Sequence, residues 1–297
     1  MTIYNFGSIN LDHVYQVDHF VRPGETMASE SYQCLLGGKG ANQSAALAKA
    51  GADVRHVGAV HSVDKLILKQ LKDVGVNIEL VAQIDMPTGH AIIQINKNAE
   101  NSIILYQGAN HCLTEEQIDG VLDQAAEGDW VLLQNETNLV PYIAKQAKSK
   151  SLKVAYNPAP MDVSITKPLL DSIDLLIVNE VEAMDLVAVD SVNEAVEAMP
   201  KQFPNLAVLM TLGSDGVRYF EEGTDLYVPA FTVEAQDTTA AGDTFIGFTM
   251  SAMFSGLSIE ESIKQGCAAS AICVTRIGAL ASIPNSDEVA VFLSHQH

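Results

Sequence analysis

Two glycine-rich segments hold residues whose types and spacing could do chemistry. The first, Gly37-Gly38-Lys39-Gly40-Ala41-Asn42-Gln43, joins a strand-like stretch to a helical one. Its glycines let backbone approach a ligand with no Cβ in the way. The second, Asp237-Thr238-Thr239-Ala240-Ala241-Gly242-Asp243-Thr244-Phe245, opens a helical pattern that runs to about Ser255. Small residues there leave the first N–H groups, which have no acceptor within the helix, open to an anion. Asp243 falls in that first turn. A carboxylate at this place either steadies the helix terminus or takes a proton from a hydroxyl while the nearby amides hold a transferring phosphoryl group.

Neither segment is one of the two commonest phosphate loops. Gln33 stands where a Walker A loop needs its first glycine, and Gly40 follows the lysine where Ser or Thr would hold magnesium. The dinucleotide fingerprint fails because Gln43 occupies the place of its third glycine.

The elements that must position these segments are strands and helices in alternation. Short apolar runs at Ile3–Gly7, Val54–Val60, Trp130–Leu133, Lys153–Tyr156, Leu175–Val178 and Ala207–Thr211 predict strands. Between them, Gly40–Ala50, Glu115–Ala126, Leu139–Lys148 and Glu180–Val187 predict helices by apolar spacing and composition. The implied fold class is α/β, a doubly wound, mostly parallel sheet. Two regions break the rhythm, about 12–36 and 89–108. In the second, alternating stretches flank the polar turn Lys97–Asn101 and predict hairpins that form a small sheet over the main one. A further meander is expected at Gly216–Phe220 and Leu226–Val228, before an almost wholly helical C-terminus from near Ala240. No repeat or linker divides the chain, so residues 1–297 read as one unit with a lid.

Composition sets the outer bounds. The 297 residues are 47% hydrophobic and 18% charged, enough apolar content for a large core. A net charge of −20 repels nucleic acid and anionic membrane surfaces, while local amides and cations can still hold a small phosphorylated ligand. Cys34, Cys112, Cys267 and Cys273 are scattered without C-x-x-C spacing and read as reduced thiols. With no basic-then-apolar leader pattern and no apolar run of about 18 residues, the expectation is a soluble cytoplasmic protein.

Taken together, the two glycine-rich segments closely resemble the two signatures of the ribokinase-like (PfkB) carbohydrate kinase family. Further matching stretches follow in the family's order: Gly7-Ser8-Ile9-Asn10-Leu11-Asp12, Pro23-Gly24-Glu25-Thr26, Gly108-Ala109-Asn110, Gln134-Asn135-Glu136, Asn157-Pro158-Ala159-Pro160, Asn179-Glu180-Val181-Glu182 and Thr211-Leu212-Gly213-Ser214-Asp215-Gly216. The resemblance spans essentially the whole chain. It implies an ATP-dependent kinase that phosphorylates a sugar, D-ribose at its 5-hydroxyl, and a homodimer formed through the β-sheet lid.

Carried over residue by residue, the resemblance makes Asp243 the general base and the amides of Ala240, Ala241, Gly242 and Asp243 the anion hole. Asn10, Asp12, Gly38, Lys39, Asn42 and Glu136 would hold the sugar hydroxyls. Asn179, Thr211, Gly213 and Gly216 would lie by the nucleotide, and Glu182 would organise Mg2+ through water. Asp237, Thr239, Cys273, Gly278 and Ser282 match the positions around a monovalent cation, K+, held largely by carbonyls. Singly, each has a plainer reading: Asn10 and Asp12 shape a turn, Lys39 is a solvated helix-start charge, Glu136 is a surface acid. Two departures stand out. Val60-His61-Ser62-Val63-Asp64-Lys65-Leu66 replaces an acidic, glycine-containing loop and is shorter, and Cys267 stands where a histidine near the adenine is usual. A kinase of another sugar or a nucleoside, and a non-catalytic sugar-binding regulatory protein, remain the alternatives.

Overall fold

Apolar runs rich in Val, Ile and Leu, bounded by turn residues, form the strands, and the periodic stretches between them coil into helices that cover both faces. The computed structural model describes residues 1–98 and 100–296; Ala99, inside the turn expected over Lys97–Asn101, and His297 lie outside the described residues. The chain runs β1 (Thr2–Phe6), β2 (Asn10–Gln16), β3 (Ser31–Gly37), α1 (Lys39–Lys49), β4 (Asp53–His61), α2 (Lys65–Asp73), β5 (Val81–Ile84), β6 (Gly89–Ile95) and β7 (Asn101–Tyr106). It continues through α3 (Glu115–Leu122), β8 (Trp130–Gln134), α4 (Val140–Ser149), β9 (Lys153–Asn157), α5 (Val163–Thr166), β10 (Leu175–Asn179), α6 (Glu180–Val187), α7 (Val192–Gln202) and β11 (Ala207–Thr211). The last elements are β12 (Val217–Glu221), β13 (Thr224–Val228), α8 (Ala241–Phe254), α9 (Ile259–Val274) and α10 (Ser286–Ser294).

The main sheet has nine strands in the order β13-β12-β11-β10-β9-β8-β1-β4-β5. Its strands from β5 to β11 are parallel, and β12 and β13 add antiparallel at one edge, as the meander predicted. One face packs Tyr4, Phe6, Val131, Leu133, Tyr156 and Val178 beneath α3, α4, α6 and α7. The other packs Ile3, Val54, Leu132, Ala155 and Ile177 with α1, α2, α8 and α9. Among the described residues no helix is long and apolar enough to cross a membrane.

A second sheet, β3-β2-β6-β7, occupies the two regions that broke the alternating rhythm. The expected antiparallel pairs are there, β2 with β3 and β6 with β7, but β2 and β6 join them in parallel. Local pattern finds each pair, whereas the central parallel contact links residues about 80 positions apart and leaves no local signal. Register sets Leu35, Asp12, Ala91 and Leu105 in one cross-strand row, so the face bearing Asp12 also exposes Leu35, Ile103 and Leu105.

The predicted helices shift by small amounts: α1 begins at Lys39 and α3 ends at Leu122. Three helices, α2, the four-residue α5 and α7, were not anticipated. In α2 only Ile67, Leu68 and Leu71 are buried, a narrow apolar stripe among lysines, and α7 carries Pro200 inside it.

Candidate active site

The crossing of α1 over the sheet places the first glycine-rich segment. β1 lies between β8 and β4, where the strand order turns from one direction to the other, and ligands of open α/β sheets collect outside the carboxyl ends of strands at such a point. Gly38 caps α1 with φ 94°, a conformation that favours glycine. The Lys39 N–H then donates to Glu136 Oε2 at 3.0 Å, and the Ser8 hydroxyl donates to the same oxygen. Glu136, just beyond β8, thereby ties the segment after β1 to the start of α1.

Asn10 and Asp12 enter from β2 in the small sheet. The Asn110 amide donates to Asn10 Oδ1 at 2.7 Å and accepts from the Ile9 N–H at 2.9 Å, which leaves the Asn10 NH2 as the end free to donate. Burial, with the charge of Glu136 adding to it, pushes the Asp12 carboxyl up to about 6 from its ordinary 3.8. Such a group binds its proton more tightly when folded. Its contribution to stability is present below the unfolded value and is lost as the pH rises through about 6. Asp12→Asn should therefore raise the thermal midpoint at pH 8 and change it little at pH 4, read by calorimetry at both. Equal shifts at the two pH values would show that Asp12 is not strained by its charge.

The second segment supplies the floor. Ala240 adopts the left-handed region, φ 59° and ψ 10°, and turns the chain into α8. The helical ladder begins with the Thr244 N–H donating to Ala240 O at 2.8 Å, so the Gly242 and Asp243 N–H groups have no intrahelical acceptor. Ala241 differs from the expectation of a fully open amide set. Its N–H donates to Thr238 O at 3.2 Å, because the tight entry brings that carbonyl beneath it.

Asp243 is buried, and its two oxygens are held separately: Asn42 Nδ2 donates to Oδ2 at 3.1 Å and Gln43 Nε2 to Oδ1 at 2.9 Å. The two glycine-rich segments, some 200 residues apart, therefore meet side chain to side chain. Burial pulls the Lys39 ammonium down, but the carboxylates of Asp243, Glu136 and Glu182 more than offset it and hold it above its ordinary value. One cation thus serves three acids of a single cleft.

Asn179 and Thr211 end neighbouring strands and are paired in register. Asn-x-x-Glu is here a capping box: Asn179 Oδ1 accepts from the Glu182 N–H at 2.8 Å and Glu182 Oε2 accepts from the Asn179 N–H at 2.9 Å. Burial raises the Glu182 carboxyl, partly countered by that N–H and by Lys39. Gly213 turns the chain after β11, and Gly216 leaves room for a strand: a Cβ there would sit 2.2 Å from Val228 O.

The five residues expected around a monovalent cation also fall together. Asp237 accepts from the Thr239 and Gly278 N–H groups, both at 2.9 Å. Cys273 Sγ lies 3.1 Å from Ser282 Oγ and 3.7 Å from Thr239 O. Although burial raises Asp237, the Thr239 side chain together with those N–H bonds holds its carboxyl below the ordinary value. Among the described residues no group of three or more His, Cys, Asp or Glu side chains is placed to hold a metal ion.

The two departures take definite form. The loop after β4 is closed onto the segment leading into β6: Thr88 Oγ1 accepts from the His61 N–H at 2.8 Å and donates to Asp64 Oδ2 at 2.6 Å. Cys267 packs in the apolar core of α9, where burial pushes its thiol up to about 12. Sequence reasoning missed Ser8 and the buried polar side chains beneath Asp243, namely Gln43, Gln134, Asn157, Asn5, Ser44 and His56. Their one sequence signal was an amide at or near the end of adjacent apolar runs, in Asn5, Gln134 and Asn157.

A doubly wound sheet with a small-sheet lid, and a carboxylate at an open helix N-terminus beside a polar cleft, defines a phosphotransferase acting on a small hydroxylated molecule. The pattern of the pfkB family carbohydrate kinases matches residues 2–286, and the chain belongs to that family. It is 39% identical over 303 residues to the ribokinase of Haemophilus influenzae, covering 99% of each chain. Among solved structures it is similar to the ribokinase of Thermotoga maritima, with a TM-score of 0.88, 35% identity and 99% of each chain covered. The Arabidopsis thaliana ribokinase complexed with ribose and ATP gives a TM-score of 0.86 at 31% identity, over 98% of each chain.

Proposed function

We propose that the protein transfers the γ-phosphoryl group of ATP to the 5-hydroxyl of D-ribose, with Asp243 as the general base. The observation that carries this is the meeting of a buried, two-point-held carboxylate with the open N–H groups at the start of α8. Likeness along the whole chain to ribokinases, one of them bound to ribose and ATP, supports the substrate.

Asn10, Asp12, Lys39, Asn42 and Glu136 offer directional donors and acceptors to the sugar hydroxyls, and a site built this way rejects analogues that lack one. Asp243 accepts the hydroxyl proton as the alcohol oxygen attacks. The Gly242 and Asp243 N–H groups and the α8 dipole receive the charge that spreads over the phosphoryl oxygens. Closure of the lid over the sugar excludes water and limits wasteful hydrolysis of ATP. Asn179, Thr211 and Gly213, at the ends of β10 and β11, line the nucleotide side.

Glu182 would hold Mg2+ through water, where the ion neutralises phosphate charge; it fits as a buried carboxylate sharing the Lys39 cation. The Thr239 carbonyl is met by a weak donor, the Cys273 thiol, so an oxygen is available to K+ in the loop of Asp237, Gly278 and Ser282. Leu35, Ile103 and Leu105, exposed on the lid face that carries Asp12, form the apolar contact of a homodimer. ATP as co-substrate and four free cysteines support a cytoplasmic setting.

The test is ADP release with a panel of ribose, deoxyribose, other sugars and nucleosides, in Mg2+ with K+ or Li+. Ribose should give the highest kcat/KM, and turnover should fall several-fold in Li+. A nucleoside or another sugar leading the panel would overturn the substrate, and ribose binding without turnover would overturn the enzyme.

A further inference from the structure

Behind Asp243 lies a row of buried polar side chains that the reaction as described does not use. Asn5, Gln43, Ser44 and His56 are fully buried, and Gln134 and Asn157 nearly so. Asn5, Gln134 and Asn157 stand at or near the carboxyl ends of β1, β8 and β9 and His56 within β4, on the sheet face that packs against α1, while Gln43 and Ser44 come from α1 itself. An amide can point either way, so the direction of each bond in the row must be set by something that cannot turn round. Three backbone carbonyls do this.

The carbonyl of Gly7, 3.1 Å from His56 Nε2, requires the proton on that nitrogen. Burial holds the imidazole down at about 4, so the ring is neutral and its Nδ1 accepts from the Ser44 hydroxyl at 2.8 Å. Asn5 Nδ2 donates to the Gly40 carbonyl and to Ser44 Oγ, both at 2.8 Å, which turns Asn5 Oδ1 toward Gln134. Gln134 Nε2 then donates to Asn5 Oδ1 at 2.9 Å and to Gln43 Oε1 at 2.7 Å. From the other side, Asn157 Nδ2 donates to the Ile177 carbonyl at 3.0 Å, so Asn157 Oδ1 must accept, and it accepts from Gln43 Nε2 at 3.1 Å. Both neighbours compel the same orientation of the Gln43 amide. Its remaining N–H meets Asp243 Oδ1.

We propose that Gln43 is the positioning residue of the catalytic base, its amide locked by this buried chain so that only N–H faces Asp243 Oδ1. The proposal rests on the reading of Asp243 as general base. A proton on Oδ1 would find a donor instead of an acceptor, so Oδ1 stays proton-free through the reaction and Oδ2 is the atom that takes the proton. As the γ-phosphoryl group parts from the bridging oxygen of ATP, releasing ADP, and forms its bond to the alcohol oxygen, the O–H bond breaks and its proton passes to Oδ2. Asn42 can follow this change. Its Oδ1 is buried without a partner, and a turn of its amide would offer that oxygen to the new O–H. Asn42 is thus the adjustable contact and Gln43 the fixed one.

The test is the pH dependence of kcat/KM for ribose in Gln43→Met, which removes the donor at similar volume, in Gln43→Glu, which sets an acid against Oδ1, and in Gln134→Met, which only frees Gln43 to turn. Asp12, Lys39, Glu136 and Glu182 share the cleft and are unchanged in all three, so a shift against the parent protein reports Asp243. The acid limb should move up by about one pH unit or more in Gln43→Glu and by a smaller amount in the two Met variants, because a bond to the ionised form is lost. The ribose Kd at pH 8 should stay within a few-fold. An acid limb unmoved in Gln43→Met and Gln134→Met, both folded, overturns the proposal, whatever Gln43→Glu does. If Asp243→Asn turns over at a near-normal rate, the base reading fails instead; if it is inactive while the Gln43 variants keep the parent profile, only the positioning role fails.

Discussion

Asp243→Asn is expected to lower turnover by about 10²-fold or more, with the fold and ribose affinity largely kept. Under the proposed mechanism the substitution removes the carboxylate that takes the alcohol proton at the start of α8, and changes volume hardly at all. It also turns one of the two acceptor oxygens into a donor. On the Asn42 side this is tolerable, because Asn42 has an unpartnered Oδ1 to offer in place of its N–H. On the Gln43 side it is not, so the new amide must keep its oxygen toward Gln43 and its NH2 toward Asn42. The loss should therefore fall on kcat and not on folding. Steady-state ADP release, ribose titration calorimetry and a thermal melt on the same preparation check it. Turnover close to that of the parent would remove the base from the mechanism.

The second large effect concerns a residue that touches no ligand through a side chain. Gly40 lies where α1 crosses the end of β1, and a Cβ there would stand 2.4 Å from Gly7 Cα, Gly7 C and Ser8 N. All three are backbone atoms, which cannot turn aside as a side chain would. Gly40→Ala must push the helix off the strand, and with it break the bonds of Asn5 to the Gly40 carbonyl and of Glu136 to the Lys39 N–H. The expected loss is about 3 kcal/mol or more, a fall in midpoint of about 5 °C or more for a chain of this size, together with weakened ribose binding. Gly120→Ala is the contrast. It sits within α3 with nothing near the added methyl group, and should raise stability by about 0.5–1 kcal/mol through helix propensity. Equal melts for the two variants would show that the close crossing carries no load.

The cleft explains why an acidic protein can handle a triphosphate. Its formal charge is −20, yet under the proposed mechanism phosphate charge falls on the N–H donors at the start of α8, in a cleft that also holds Lys39, a cation kept charged by three carboxylates. Local geometry, not net charge, decides what binds.

Much of this was legible in the chain itself. Apolar runs and periodic stretches gave every main-sheet strand except the edge strand β5 to within a residue or two, and the two interruptions of their rhythm marked the lid. Burial on both faces of a parallel strand leaves a continuous hydrophobic run, which survives in any context. The glycine-rich segments were visible for a similar reason, since backbone that must approach a ligand or another backbone restricts the residue type at that position. The helices α2 and α7 were missed because a narrow apolar stripe among lysines, and a helix containing proline, do not stand out from loops.

Sequence by itself determined the alternation of strands and helices, the lid pairs, and the residues able to do chemistry, because each depends on local pattern or local backbone need. Only the tertiary structure decided that β2 and β6 join in parallel, that the Ala241 N–H is taken by Thr238, and that Asn5, Gln43, Ser44, His56, Gln134 and Asn157 form one directed chain ending at Asp243. An amide at a strand end reads the same in sequence whether it faces water or another amide. Which it meets is set by packing between segments up to 200 residues apart, and the direction of each hydrogen bond by the carbonyls that packing brings within reach.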